Sequence, residues 1–298
     1  MSGDSGNDRG NDSGNNSSMT RELREKADSL RQIMAGYGSV AVALSGGVDS
    51  TLLLRTAAEV LGERVIAVTA DAMMKPEQDM ADSIVAQWNP ETAEAVKNTG
   101  AMGVRHIIFQ SGEYEDEGFL ENTRERCYLC KKKIFGGIVR IAAQNGISTV
   151  VEGTNLDDAD DFRPGMRALA ELGIKSPLRE AGLHKDEIRR LAESYGLTVW
   201  NKPSNACLAT RFPYGTRISK EKVLLIGEAE RILHAFGFCQ VRVRYHGSVA
   251  RIELDPSQLT AIFQNGIAGK VYEQFRALGF DYTALDLIGY RTGSLNER

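Results

Sequence analysis

Residues 39–51 read Ser-Val-Ala-Val-Ala-Leu-Ser-Gly-Gly-Val-Asp-Ser-Thr. The small and apolar residues 40–44 predict a buried parallel strand, and an apolar helix is predicted from Val48 onward. Between them, Gly46 and Gly47 allow a sharp turn that brings backbone N–H groups close to a ligand. Backbone N–H groups at a helix N-terminus are suited to binding phosphate. The stretch therefore predicts a phosphate-binding loop in an α/β fold with a parallel sheet.

Polar side chains of the same stretch add to this predicted site. The hydroxyl groups of Ser45, Ser50 and Thr51 can donate hydrogen bonds to phosphate oxygens. Asp49 suits Mg²⁺, which prefers one or two carboxylates together with phosphate oxygens. The alternative is an ordinary strand–turn–helix, and the density of phosphate-suited groups favours the binding site. The Walker pattern is absent, and residues 266–270 predict only a turn before a helix.

Composition limits the class of protein. The 298 residues suffice for two domains, and 42% hydrophobic and 26% charged residues are ordinary for a globular chain. The net charge of −4 argues against a large nucleic-acid surface. No apolar run is long enough to span a membrane, and no signal peptide is visible. Four cysteines do not form a secreted disulfide framework, so we expect a cytoplasmic protein.

The chain predicts two folded parts behind a polar tail. Residues 1–18 are nearly all Ser, Gly, Asn and Asp, and this composition predicts disorder. Residues 19–215 predict the α/β domain, and residues 216–298 predict a small α+β domain with a β-hairpin. Beyond the first strand and helix, the predicted elements are strands at 65–70, 104–109, 148–153 and 197–200, then a helix at 220–236, strands at 240–245 and 249–254, a helix at 256–278 and a strand at 282–287.

Residues after the strands of the α/β domain are candidates for nucleotide binding, because ligands bind beyond the carboxyl ends of strands in open α/β sheets. Ala70 lies where an adenosine would rest. Gly153 begins a polar loop in which acidic residues could bind Mg²⁺ and Arg163 could pair with phosphate. Alternatively, the acids only cap the next helix. The acidic residues 113–117 predict a solvated loop.

Three cysteines have a pattern that indicates chemistry. Cys127 and Cys130 form a C-x-x-C at the start of a predicted helix, beside lysines that favour thiolates. This setting suits a metal, a cluster or redox chemistry, and the alternative is two half-buried thiols without a function. Cys207 lies in an irregular loop together with Arg211. Cys239 has apolar neighbours and is expected to be a packed thiol.

Arg242 and Arg244 alternate along a predicted hairpin strand, so both point to one face. They predict either a phosphate clamp or the polar outer face of a half-buried hairpin.

Several segments carry a family resemblance. Residues 45–50 resemble the PP-loop of the ATP pyrophosphatases, which cleave ATP to AMP and pyrophosphate while adenylating a substrate oxygen. Over residues 20–298 the chain is similar to one branch of that group, the LarE family of ATP-dependent sulfur transferases. The resemblance rests on residues 45–50, 153–165, 201–215, 241–246 and 250–254.

The resemblance implies a reaction. Members adenylate a carboxylate of pyridinium-3,5-biscarboxylic acid mononucleotide and replace AMP with sulfur, a step in making the nickel-pincer nucleotide cofactor. Ala206 occupies the place of the sacrificial cysteine of single-cysteine members. The set Cys127, Cys130 and Cys207 instead resembles members that hold a [4Fe–4S] cluster and leave one iron for a sulfur ligand. Zinc, a Cys127–Cys130 disulfide cycle and sacrificial transfer from Cys207 remain alternatives.

The resemblance also implies roles for other residues. Lys131 would lie by the reacting centre. Arg242 and Arg244 would hold the substrate phosphate, with Arg211 nearby. An acidic site for a divalent ion at a subunit contact would include Glu230 and Glu253, although Ala261 replaces its third member. Members assemble as homo-hexamers.

Three rival functions are consistent with the PP-loop. A tRNA thiolation enzyme would bind RNA with a steep salt dependence, which the acidic composition disfavours. An amide-forming synthetase would not need the three cysteines. A nucleotide sensor would bind ATP without releasing pyrophosphate.

Overall fold

The computed structural model describes residues 19–72, 90–159, 164–202 and 206–291. The N-terminal part of the chain contains a four-stranded parallel sheet with the strand order β3-β2-β1-β4. A parallel sheet is what the PP-loop stretch predicts. Its strands are β1 Val40–Ala43, β2 Val65–Asp71, β3 Arg105–Gln110 and β4 Val150–Val151. The register joins Val40 to Val65 and Ala41 to Val150, so β1 lies centrally and carries the loop that follows it.

Helices cover both faces of this sheet. In chain order they are α1 Arg21–Tyr37, α2 Val48–Leu61, α3 Pro90–Met102, α4 Glu117–Leu120, α5 Arg126–Gln144, α6 Pro164–Glu171, α7 Pro177–Glu180, α8 Lys185–Ser194, α9 Lys220–Ala235 and α10 Ile267–Ala277. Alternate residues of β1 enter different cores: Val40 and Val42 pack with α1, α2 and α8, whereas Ala41 packs with α5. Both faces of β1 are therefore buried, which explains its uniformly apolar sequence.

A second, mixed sheet lies in the C-terminal part of the chain. It has the order β5-β6-β7, with β5 Val241–His246, β6 Val249–Leu254 and β7 Tyr282–Leu285. Strands β5 and β6 form the antiparallel hairpin that the sequence predicts, and β7 adds parallel to β6. The core on this sheet also includes Phe119, and Cys130 packs against it. The C-x-x-C helix α5 therefore contacts the C-terminal core. The domain boundary at residue 215 stays a prediction.

Two predicted elements have a different secondary structure from the one that the sequence predicts. Residues 197–200 form turns instead of a strand, because Leu197 and Val199 are buried in the core while the backbone of Trp200 bonds back to Leu197 at 3.2 Å. The single helix expected at 256–278 is a 3₁₀ helix, Pro256–Phe263, followed by α10. Asn265 and Gly266 separate them with φ of 54° and 69°, which a continuous helix does not allow.

Of two predictions about exposure, one is wrong and the other is wrong in part. Cys239 is exposed instead of packed: its thiol lies at the entry to β5, where it donates to the carbonyl oxygen of Gly237 at 3.8 Å. In the predicted solvated loop 113–117, Glu115 and Glu117 are exposed as predicted, but a 3₁₀ turn, Glu113–Glu115, buries Glu113 beside Ser111. The polar tail 1–18 lies outside the described residues. Within the described part of the chain, no helix combines the length and hydrophobicity needed to cross a membrane.

Candidate active site

The loop after β1 is held in shape by its own side chains. Gly46 has φ of 73°, which favours glycine, and Gly47 caps α2 with extended backbone. The Ser50 hydroxyl accepts a hydrogen bond from the backbone N–H of Ser45 at 3.2 Å and lies 3.1 Å from the Ser45 hydroxyl. The turn is therefore preorganised at the carboxyl edge of the sheet, as the sequence predicts.

The carboxylate of Asp49 is contacted on both oxygens. Asn155 donates from Nδ2 to Oδ1 at 3.2 Å, and the ammonium group of Lys185 forms an ion pair with Oδ2. Asn155 follows β4, and Lys185 is the first residue of α8. Two distant segments thus converge on the residue that the sequence predicts to bind Mg²⁺.

Gly153 lies against the start of α2. A Cβ at this position would lie 3.0 Å from the backbone nitrogen of Ser50 and 3.1 Å from Cβ of Asp49. A glycine is therefore needed for the loop after β4 to approach the PP-loop this closely. On the opposite side, Lys202 donates from Nζ to the carbonyl oxygen of Gly46 at 3.1 Å.

The carboxyl end of β2 lies next to the same loop. Thr69 donates to the carbonyl oxygen of Leu44 at 2.7 Å, and His106 Nε2 lies 2.8 Å from the same hydroxyl. Burial lowers the pKa of His106 to about 4, so this histidine is neutral at neutral pH. Ala70 is half-buried at this edge, next to Thr69. Thr51 is buried and accepts from Asn98 Nδ2 at 3.5 Å. Arg163 lies outside the described residues.

The three cysteines of the predicted set come together. Cys127 and Cys130 lie on the first turns of α5, and Cys207 precedes the 3₁₀ helix Leu208–Arg211. Burial raises the pKa of the Cys130 thiol, and the nearby thiols of Cys207 and Cys127 raise it further. All three are free thiols. Among the residues that the structure describes, no three His, Cys, Asp or Glu side chains are close enough together to hold a metal ion.

Two buried residues tie the Cys207 loop to the C-x-x-C helix. Asn122 donates from Nδ2 to the carbonyl oxygens of Pro213 at 2.8 Å and Thr216 at 3.1 Å. Arg126 donates to the carbonyl oxygen of Ala209 at 2.9 Å and also contacts Asn122. These hydrogen bonds to the backbone after Cys207 therefore hold the Cys207 segment against the start of α5.

Lys131 lies on α5 directly after Cys130. Its side chain crosses Gly165, where an added Cβ would lie only 2.7 Å from Lys131 Cδ. Lys131 therefore packs across the start of α6.

The predicted substrate-binding arginines are buried and paired with the predicted ion ligands. Arg211 forms a bidentate ion pair with Glu230, at 2.7 and 2.9 Å, and Arg244 forms one with Glu253, at 3.0 and 2.8 Å. Arg242 lies 5.1 Å from the ring centroid of Tyr290. The alternative of a solvated outer face for β5 is wrong, because Arg242 and Arg244 are each only 5% exposed. A divalent ion at either carboxylate would displace a guanidinium group, and both roles stay predictions.

Comparison with known proteins bears on this arrangement. The asparagine synthase family model matches residues 23–123, which include the PP-loop. An uncharacterized protein of Synechocystis is 38% identical over 275 residues, covering 92% of this chain and 98% of its own length. The pyridinium-3,5-bisthiocarboxylic acid mononucleotide synthase of Lactiplantibacillus plantarum is 35% identical over 278 residues, covering 92% of this chain and 95% of its own.

The chain belongs to the LarE family.

A third relative, an uncharacterized protein of Methanocaldococcus jannaschii, is 26% identical over 253 residues, 85% of this chain. LarE membership agrees with the α/β fold and with the PP-loop that the sequence predicts.

Sequence reasoning missed four residues of this LarE site, namely Asn122, Arg126, Asn155 and Lys185. Each acts through a partner far away in the chain; for example, 136 residues separate Lys185 from Asp49. Arg126 directly precedes the C-x-x-C, and this was the only local signal that could have drawn attention to it.

Proposed function

We propose that this protein is an ATP-dependent sulfur transferase. It adenylates a carboxylate of pyridinium-3,5-biscarboxylic acid mononucleotide and then replaces AMP with sulfur. The carrying observation is that Cys130 interacts electrostatically with Cys127 and Cys207 in a chain that also has a PP-loop. Lys202 contacts Gly46 in that loop, and Cys207 is five residues further along the chain. Five residues span at most about 18 Å, so activated substrate and thiols can share one cleft.

The first step uses the PP-loop. A carboxylate oxygen of the substrate attacks the α-phosphorus of ATP, the bond to the β-phosphate breaks, and pyrophosphate leaves. The backbone N–H groups after Ser45 and the hydroxyl groups of Ser50 and Thr51 bind the phosphates, and Asp49 holds Mg²⁺. Placing these groups before the reaction stabilises the charge that develops on the leaving group. Ala70, Gly153 and Arg163 complete the proposed nucleotide site.

The second step transfers sulfur. A sulfur nucleophile attacks the acyl carbon, the carbon–oxygen bond to AMP breaks, and a thiocarboxylate forms. Lys131, which reaches across Gly165 beside the C-x-x-C, is proposed to orient the reacting carboxylate.

Cys127, Cys130 and Cys207 are proposed to hold a [4Fe–4S] cluster. Three thiolates are the donor set that such a cluster takes, and the thiols of Cys127 and Cys207 are near enough to Cys130 to raise its pKa. When bound, the cluster supplies a sulfur atom that can be replaced after each turnover.

The substrate phosphate is proposed to bind Arg242, Arg244 and Arg211. Exposed apolar side chains near the C-terminal sheet support assembly as a homo-oligomer: Phe263 is 71% exposed and Leu287 is 91% exposed. Sedimentation of the full chain tests the expected hexamer.

Metal analysis of anaerobically prepared protein tests the cluster. We expect about four iron and four acid-labile sulfide per chain. Cys130→Ser should lose both, whereas the control Cys239→Ser, which replaces an exposed cysteine outside the set, should keep both. Zinc in place of iron would refute the cluster. Neither metal, with a loss of protein mass at Cys207 after turnover, would instead establish sacrificial transfer.

The reaction is tested with ATP and the biscarboxylic acid mononucleotide. Asp49→Ala should abolish pyrophosphate release and keep the fold, while Asp281→Asn, on an exposed aspartate of the C-terminal part of the chain, should retain release. Unchanged turnover in Asp49→Ala would contradict its assignment. Absence of a thiocarboxylate product in wild-type protein with a reduced sulfur source would contradict the function.

A further inference from the structure

Lys185 contacts the carboxylate that is proposed to bind Mg²⁺. Its ammonium group pairs with Oδ2 of Asp49, while Asn155 donates to Oδ1 at 3.2 Å. The side chains of Lys185 and Asp49 are 28% and 20% exposed, so a ligand at the PP-loop can reach both. This pair therefore lies within the nucleotide site and is not buried behind it.

The backbone of Lys185 is fixed, whereas its ammonium group is held, among the residues that the structure describes, by the ion pair with Asp49 alone. The backbone N–H of Lys185 donates to Oδ2 of Asp157 at 2.7 Å, and the His184 ring lies 2.6 Å from Oδ1 of the same carboxylate. Glu187 accepts from the His184 backbone at 2.9 Å and completes a capping box. The start of α8 is thus anchored, while the four-carbon stem of Lys185 can move its charge.

Coulomb repulsion favours moving that charge when Mg²⁺ binds Asp49. A divalent cation and an ammonium group on one carboxylate repel each other, which weakens the Lys185–Asp49 ion pair. The nearest negative charge that arrives together with Mg²⁺ is on the β- and γ-phosphates of ATP. Lysine is well suited to bind phosphate as a point charge.

We propose that Lys185 is a phosphate-positioning residue, which exchanges the carboxylate of Asp49 for the β- and γ-phosphate oxygens of ATP when Mg²⁺ binds. This inference rests on the proposed function, because it assigns Asp49 to Mg²⁺. After adenylation the same contact holds pyrophosphate until it leaves. AMP has no β- or γ-phosphate and should not use Lys185.

Calorimetric binding of three probes tests this assignment: MgATP, magnesium pyrophosphate and AMP. In Lys185→Gln, the dissociation constants of MgATP and magnesium pyrophosphate should rise about 10- to 100-fold, the range for a charge-assisted hydrogen bond. The dissociation constant of AMP should change by less than about 2-fold. Lys185→Arg, which keeps the charge, should restore most of the pyrophosphate affinity.

Lys26→Gln is the matched control. Lys26 lies on α1, outside the PP-loop, and its side chain is 22% exposed. Its ammonium group pairs at 2.7 Å with Glu187, which lies on α8 like Lys185. Both glutamine variants lose an ion pair to α8, so both should lower the melting temperature similarly. Only Lys185→Gln should weaken binding of the polyphosphates.

Three results would overturn the inference. All three concern Lys185→Gln: unchanged binding of the polyphosphates, tighter binding of MgATP, or an equal loss of affinity for AMP and for pyrophosphate. Unchanged binding would mean that Lys185 does not reach the phosphates, and tighter binding would mean that it only competes with Mg²⁺. Equal weakening would indicate a general distortion. Wild-type protein that binds no MgATP would refute the proposed function itself, which separates the two failures.

Discussion

Replacing Gly153 with alanine tests how closely the loop after β4 must approach the nucleotide loop. The backbone of Gly153 is outside the left-handed region, so alanine meets no conformational barrier there. The effect of the added methyl group comes only from its contacts, at 3.0 Å to the Ser50 nitrogen and 3.1 Å to Cβ of Asp49. These atoms belong to the first turn of α2 and cannot rotate away.

The expected magnitude follows from this geometry. The two segments must separate by a few tenths of an ångström. Overpacking of this kind costs about 1–3 kcal/mol of unfolding free energy. The same shift stretches the Asn155–Asp49 hydrogen bond, which is already 3.2 Å long. Because misplacing reacting groups by 1 Å costs about 100-fold, we expect pyrophosphate release to slow by about 10-fold.

Urea unfolding and a pyrophosphate-release assay measure the two effects on one preparation. Gly136→Ala is the control, because Gly136 lies inside α5 with open space around its added Cβ. That variant should gain about 0.5–1 kcal/mol from helix propensity and keep its activity. A Gly153→Ala protein with wild-type stability and wild-type turnover would refute the argument from close approach.

Three further outcomes are expected. Burial lowers the pKa of His106 from 6.5 to about 4, so the unfolded chain binds more protons between these values. The free energy of unfolding should therefore fall by up to about 3 kcal/mol from pH 7 to pH 4, and an equal fall in His106→Gln would contradict this. Arg244→Ala should weaken mononucleotide binding at least about 10-fold more than ATP binding. The same variant should lose about 3 kcal/mol of stability, because Glu253 is fully buried; equal weakening of both ligands would contradict a phosphate contact. Asn122→Ala removes the hydrogen bonds to the carbonyl oxygens of Pro213 and Thr216. It should lower the free energy of unfolding by about 2–3 kcal/mol and lower iron retention at Cys207. An unchanged melting curve would contradict the tethering role.

The PP-loop could be predicted from sequence because its determinants are local. The apolar run of β1, the two glycines and the hydroxyl residues lie within 13 consecutive positions. Their physical requirements, a buried strand and a turn that exposes N–H groups, do not depend on distant residues. The C-x-x-C at the start of α5 and the hairpin of β5 and β6 are local signals of the same kind.

The rest of the site depends on contacts between distant segments, and periodicity does not encode such contacts. Asn155 lies 106 residues from Asp49, and Asn122 lies 91 residues from Pro213. An asparagine in a loop predicts a turn equally well when its side chain has no role. The strand prediction for residues 197–200 is wrong for a related reason. Its alternating apolar residues resemble a strand, but they are buried by core packing and not by pairing in a sheet.

The charge balance of the arginine cluster explains how buried carboxylates and a phosphate site can coexist. Glu230 pairs with Arg211, and Glu253 pairs with both Arg244 and Arg251, so two of the three predicted phosphate ligands already contact a carboxylate. Burial lowers the pKa of Arg242, and the charges of Arg211 and Arg244 lower it further. The cation at Arg242 is thus disfavoured by its surroundings, and an arriving phosphate dianion would relieve this repulsion. The two glutamates hold the guanidinium groups of Arg211 and Arg244 in place, and the proposed substrate phosphate would add a negative charge beside Arg242.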